Sequence, residues 1–316
     1  MVATPTATSA ASSNANASPA RARILGVLLV FLSSVAFSTK AVLVKLAYRH
    51  GVDAVSLLAL RFGFSAPFFA LGAGFASRGG AKLTRRDAAV IIALGVLGYY
   101  AAALTDFIGL RYISAGLERL ILFVYPTLVV LAEAALFGAR IGRRQIYSLA
   151  LTYGGIALAF RGELGNFGSD VPRGAAWVLA CALTYGLYLL GAGRMVPKLG
   201  SQRFTSLALL AATAAVLLHA AATGAKLLGL APAVYGIGLL MALVATVAPA
   251  FLLARGIALL GSGPAAIVST VGPVSTILLA YLFLGEPITA VEVAGTALVV
   301  CGATLVASGS KRAAAT

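Results

Sequence analysis

Charge is scarce in this chain. Asp, Glu, Lys and Arg make up 10% of its 316 residues, against 60% apolar and aromatic side chains. A soluble protein of this length needs far more charge to cover its surface, so a soluble globular fold is excluded. Cysteine is nearly missing. Cys181 and Cys301 both sit inside apolar stretches, which leaves neither a disulfide framework nor a cysteine metal cluster. His50 and His219 are too far apart in sequence to read as a zinc site. No metal and no cofactor is therefore expected. Long polar segments are lacking too, so there is no room for a soluble catalytic domain. Neither H-E-x-x-H nor G-x-S-x-G occurs, and the chain does not read as an enzyme.

What is present instead is a series of apolar runs of about 20 residues, the length that crosses a hydrocarbon layer of roughly 30 Å. Mean hydropathy is +0.99. The runs are continuously apolar rather than alternating, which reads as helix and not as barrel strand. Ten spans are expected, at 24–47, 54–77, 88–110, 115–138, 144–160, 174–196, 203–222, 232–257, 264–285 and 290–308. Residues 1–20 carry no charge and are rich in Ala, Ser, Thr and Asn, so 1–23 reads as a disordered tail before an uncleaved first helix. The longest connector, 161–173, holds Gly162, Gly165, Gly168 and Pro172 and divides the chain into 24–160 and 174–308. Residues 309–316 form a second short tail.

The net charge of +15 does not mark a nucleic-acid binder, because the basic residues lie in the short connectors. Their distribution sets orientation instead. Fourteen Lys and Arg fall on the side of the N-terminus and five on the other. By the positive-inside rule both termini are cytoplasmic, and the even number of spans follows.

The two halves are related. A shift of 147 residues places Pro126 on Pro273, Gly109 on Gly256, Gly116 on Gly263, Gly138 on Gly285 and Gly155 on Gly302. At a shift of 148, Gly26 meets Gly174. Each Gly and Pro fixes a backbone property, so their register counts for more than matched Ala or Leu. Five spans per half is an odd number, so the second half enters the membrane upside down. Inverted repeats of this kind suit alternating access, with a substrate site near the midplane. The plainer reading of the repeated Gly and Pro is helix packing.

These residues resemble the EamA branch of the drug/metabolite transporter superfamily. The likeness rests on Leu282-Phe283-Leu284-Gly285-Glu286, preceded by Gly272-Pro273 and followed by Ala294-Gly295 and Cys301-Gly302. Its first-half counterpart runs from Tyr125-Pro126-Thr127 to Leu136-Phe137-Gly138, and Gly109–Gly116 is similar to the family's third-to-fourth helix turn. The resemblance implies ten helices as two inverted five-helix repeats, and a central cavity built from helices one, three, four, six, eight and nine. It also implies export of small molecules across a bacterial inner membrane, with exporters of aromatic and other amino acids as the nearest kind. The first-half turn carries Ala139 where the second carries Glu286. The first helix carries Lys40 where the distant four-helix multidrug relatives have a proton-coupling Glu, so their mechanism does not transfer directly.

Charged residues inside spans are costly and draw attention to Lys40, Arg61, Asp106, Glu118 and Arg119. Lys40 with Asp106 or Glu118 would supply the cation and anion that a zwitterion needs. A satisfied ion-pair network locking helices one, three and four is the structural alternative. Glu118, Leu122 and Tyr125 share a helical face, as do Tyr99 and Asp106, while Tyr185 and Tyr188 are neighbours at i+3. Tyrosines on a cavity wall suit aromatic substrates; packing is the plainer reading. Pro126, Pro249 and Pro273 interrupt helices and free carbonyls, and Ser269 and Thr270 would offer hydroxyls one turn before Pro273. The expected partners are a small-molecule substrate and the lipid bilayer; monomer and homodimer are not distinguished. A broader drug exporter and a membrane sensor without transport are the rival readings.

Overall fold

The computed structural model describes residues 19–77, 83–137, 142–167 and 170–313. All regular structure among them is helical. In chain order the elements are α1 Pro19–Tyr48, α2 Ala54–Ser77 and α3 Arg85–Gly109. A broken fourth helix follows as α4a Ala115–Leu122 and α4b Tyr125–Phe137. Then come α5 Arg143–Phe167, α6 Val171–Leu199, α7 Ser201–Thr223 and α8 Pro232–Leu260. A broken ninth helix, α9a Ser262–Ser269 and α9b Val271–Leu284, precedes α10 Ala290–Ala313.

Among the described residues, eight of these helices are long and apolar enough to cross a membrane: α1 to α4 and α6 to α9. The apolar part of α10, Ala290–Leu305, is shorter. Helix α5 has the length, but Arg143, Arg144, Arg161 and Glu163 flank its apolar stretch and Gln145, Ser148 and Thr152 dilute it. The protein is an all-α integral membrane protein. The basic turn at 78–82, the turn at Gly138, Ala139 and Arg140, and the N-terminal tail through residue 18 lie outside the described residues.

Local chemistry sets the helix ends. Asp53 opens α2, with Oδ1 accepting the N–H of Val55 and of Ser56, both at 2.9 Å. Thr84 and Asp87 form a capping box at the start of α3. Gly200 and Gly261, both with φ of +80°, make single-residue connections from α6 to α7 and from α8 to α9a. An L side chain rarely adopts that backbone, which is why these tight turns carry Gly. The long connector expected at 161–173 is mostly helix, since α5 runs on to Phe167 and α6 starts at Val171 with Pro172 in its first turn. Arg161, Glu163 and Leu164 are good helix formers, and Gly162 and Gly165 do not stop the helix.

The halves repeat in detail. Helix α3 has a π-helical stretch at Val96–Ala101, and α8 has one at Leu243–Val247. Helix four breaks after Leu122 and helix nine after Ser269, which are equivalent positions. The repeated glycines make reciprocal contacts across the halves. A Cβ on Gly109 of α3 would come within 2.5 Å of Val178 Cγ2 on α6, and one on Gly256 of α8 within 2.5 Å of Val30 Cγ2 on α1. Gly174 faces the Gly109 carbonyl, and the Gly26 carbonyl faces Gly256. In the same way Gly155 on α5 abuts the Gly295 carbonyl on α10, while Gly302 on α10 abuts the Ser148 carbonyl on α5. Backbones approach this closely only where neither carries a side chain. Short connections make successive helices antiparallel, so five per half turn the second repeat over.

Candidate functional site

A cavity of about 340 Å³ lies inside the bundle. Helix α1 contributes Ser33, Ser34, Phe37 and Lys40 to its wall, one face at i, i+4 and i+7. Helix α3 contributes Tyr99 and Asp106, the expected shared face, with Gly98 before them and Ala102 and Ala103 between. Arg119, Leu122, Phe123 and Tyr125 come from the two parts of helix four, and Cys181 and Tyr185 from α6. Thr246, Pro249, Ala250 and Leu253 of α8 and Ser269 of α9a complete the far side. Helices α2 and α7, absent from the expected set, also take part through Arg61, Phe62, Thr205 and Leu209. These two helices pack on each other, with Gly72 against Ser206, and close one flank of the cavity.

All four charged residues of the wall come from the first half. Lys40 Nζ donates to Asp106 Oδ2 at 2.5 Å and to Glu118 Oε1 at 2.9 Å, and all three residues are buried. Glu118 is not on the wall. It is completely buried, turned toward α1 and α3, about 100° round the helix from Arg119. The helical face expected for Glu118, Leu122 and Tyr125 is therefore divided, with only the last two on the cavity. Arg61 donates its Nε–H to Thr246 Oγ1 at 2.8 Å and lies over the rings of Phe62 and Phe107. Arg119 lies over Phe37 at 5.3 Å and Phe123 at 5.7 Å from the ring centres.

The tyrosines form a chain rather than a ring. Tyr125 meets Tyr185 edge to face at 5.2 Å, Tyr185 stacks on Tyr188 at 5.7 Å, and Tyr188 stacks on Phe204. Tyr99 and Tyr188 share a hydrogen bond of 2.9 Å between their hydroxyls. Tyr188 is 4% exposed and stands behind the wall, supporting Tyr99 and Tyr185. Sequence spacing puts Tyr185 and Tyr188 on one helix face but does not say that the second backs the first.

The proline breaks differ from expectation in one respect. Pro273 has no N–H to give the Ser269 carbonyl four residues earlier, and that carbonyl accepts the Ser34 hydroxyl of α1 at 3.0 Å. On α8 the carbonyl of Pro249 itself, rather than one freed by its ring, accepts the Ser33 hydroxyl at 2.8 Å. These carbonyls are taken by α1. Ser269 Oγ donates to the Ala265 carbonyl and Thr270 Oγ1 to the Ile267 carbonyl, so both hydroxyls are spent on their own helix. Thr270 is not on the wall, and Pro126 and Pro273 lie at the helix breaks beside it.

The bundle end that carries connections 49–53, 110–114 and 285–289 holds a second set of polar contacts, around an open pocket lined by Lys45, Tyr48, Arg49 and Glu286. Lys45 on α1 pairs with Glu286 at 2.7 Å, and Glu286 also accepts the N–H of Ala115 at 3.0 Å. Arg49 donates to the Leu284 carbonyl, and Tyr48 donates to the Phe107 carbonyl at 2.6 Å. Glu286, unmatched in the first-half turn, thus ties the ninth-to-tenth connection to α1 and α4a.

Two repeated sets of helices around a largely apolar cavity that holds four charged side chains, in a bundle with an apolar exterior, define the architecture of a polytopic membrane carrier. The chain belongs to the EamA-like transporter family, whose pattern matches it twice, over residues 24–161 and 172–308. It is 28% identical over 278 residues to the uncharacterized transporter YcbK of Bacillus subtilis (strain 168), covering 85% of this chain and 88% of that protein. A known crystal structure shares the fold at a TM-score of 0.59, with 19% identity, covering 91% of this chain and 98% of the other.

Proposed function

We propose that this transporter exports small metabolites by alternating access, with amino acids, aromatic and hydrophobic ones among them, as the preferred class. The observation that carries the reading is the cavity itself. It is central, walled by both repeats, and combines aromatic rings with buried charge. Aromatic rings provide apolar contact area, and a few polar groups fix orientation, as in small-molecule sites generally. The two repeats are the moving parts, and the Lys45–Glu286 pair is a link on the outer side that must part for the substrate to leave there. The membrane is the bacterial inner membrane, with both termini in the cytoplasm, on the balance of Lys and Arg. Ten crossings, as 24–160 and 174–308, complete this topology.

The test is resistance of an overexpressing strain to toxic aromatic amino-acid analogues, with efflux of L-phenylalanine from proteoliposomes as the direct measurement. Export is expected, and Tyr99→Phe, which loses the hydroxyl bond to Tyr188, lowers it while insertion stays normal. Unchanged resistance together with no efflux removes the amino-acid reading.

A further inference from the structure

The cavity holds four charged side chains among the described residues, Lys40, Asp106, Arg61 and Arg119, and they are not equally available. Lys40 is spent, because it lies between two carboxylates. Those carboxylates are spent on it in turn. Their remaining oxygens, Asp106 Oδ1 and Glu118 Oε2, find no donor among the described residues. Both carboxylates are thus engaged by Lys40, which leaves neither of them free to receive an ammonium group of a ligand.

The arginines are different. Arg61 has one acceptor, Thr246. Arg119 has no hydrogen bond or ion pair among the described residues, and its Nε is buried without an acceptor. Its guanidinium is held between Phe37 and Phe123 on the cavity wall. A guanidinium cannot shed its charge, and its five donors in a fixed fork match a carboxylate. A buried cation of this kind calls for an anion.

Resting on the reading of the cavity as the substrate site, we propose that Arg119, assisted by Arg61, anchors the carboxylate of a hydrophobic or aromatic monocarboxylate, and that an α-ammonium group on the ligand is not required. The apolar body of the ligand lies against Phe37, Phe123, Tyr125 and Tyr185. Amino acids are then one branch of the substrate class, and organic acids without an amino group are the other. The cavity volume falls at the lower end of the roughly 300–1,000 Å³ usual for small-molecule sites, which suits one ring and a short acid chain.

The experiment uses the purified full-length protein with 3-phenylpropionate, phenethylamine and acetate, read by ligand-induced thermal stabilisation. In proteoliposomes the same three compounds compete with efflux of L-phenylalanine. The acid is expected to stabilise the protein and to compete about as well as phenylalanine. Phenethylamine, which keeps the ammonium and loses the carboxylate, is weaker by about tenfold or more, the factor one charge-assisted hydrogen bond represents. Acetate binds weakly because it lacks the ring. Arg119→Gln removes the response to 3-phenylpropionate, and Arg119→Lys keeps part of it. The comparison of ligands on the unaltered protein stands even if a variant does not fold. The proposal is overturned if phenethylamine matches or exceeds the acid, or if the acid gives no response at millimolar concentration. Phenylalanine efflux without preference for the acid leaves the export reading intact and removes the role of Arg119. Binding of the acid without any efflux does the reverse.

Discussion

Lys40 on α1 and Glu118 on α4a meet through an ion pair of 2.9 Å, and Glu118 has no exposed surface at all. Removing one partner of such a pair strands the other, a loss of about 3–5 kcal/mol. Lys40→Ala should therefore lower the unfolding temperature in detergent by a wide margin. Adding Asp106→Asn and Glu118→Gln to Lys40→Ala should recover part of it, because no charge is then left unpaired. If the triple variant is no more stable than the single one, the pairing does not govern stability here.

The Ser34 hydroxyl and the Pro273 ring act on the same carbonyl, that of Ser269. Ser34→Ala leaves this carbonyl without its donor and should destabilise by about 1–2 kcal/mol. Pro273→Ala restores a backbone N–H four residues along and so supplies a substitute. In that background Ser34→Ala should have almost no effect. A double-mutant cycle on thermal unfolding reads this directly, and additive losses would refute it.

Gly109 and Gly256 give a symmetric prediction. A Val at either position drives its side chain into the facing helix, α6 or α1, and overpacking of this kind costs about 1–3 kcal/mol or more. Both variants should lose unfolding temperature to a similar degree. Gly63→Ala, Gly74→Ala and Gly193→Ala should not, because an added Cβ there meets nothing within 4 Å. Unequal losses at the two equivalent sites would show that the repeats do not share the packing load.

The Lys45–Glu286 pair can be followed through the chain's own Cys181, which lines the cavity and is buried. Cys301, the other thiol, is exposed and is first replaced by Ala. Lys45→Ala or Glu286→Ala should then speed labelling of Cys181 by an impermeant maleimide added from the side of these residues. The exchanged pair, Lys45→Glu with Glu286→Lys, should bring the rate back toward its starting value. Labelling that is equally slow in all four proteins would mean that this pair does not hold the end shut.

Much of this arrangement is legible in the chain. Gly109, Pro126 and their repeats at Gly256 and Pro273 mark the helix contacts and the breaks, because glycine and proline constrain backbone locally. Lys40, Asp106 and Glu118 are legible as a set because charge in an apolar run needs company. The face each helix turns inward is less so. Arg119 rather than Glu118 reaches the cavity wall, and nothing within helix four decides between them. That choice is made by α1 and α3, which bring Lys40 and Asp106 to one side. The capture of the Ser269 carbonyl by Ser34, 235 positions away, is likewise a product of packing between halves. The place of Phe37 was open to reading, since it falls on the same helical face as Lys40.

The reciprocal glycine contacts also bear on how the protein is made. The first helix of each half rests on the third helix of the other, α1 on α8 and α6 on α3. Gly26 leaves the ribosome about 230 residues before Gly256, its partner. At roughly 5–20 residues per second, α1 waits about ten to forty-five seconds in the bilayer with its packing face bare. During that interval neither half is a finished unit, and a chain interrupted between α5 and α8 exposes a glycine-lined helix surface to quality control.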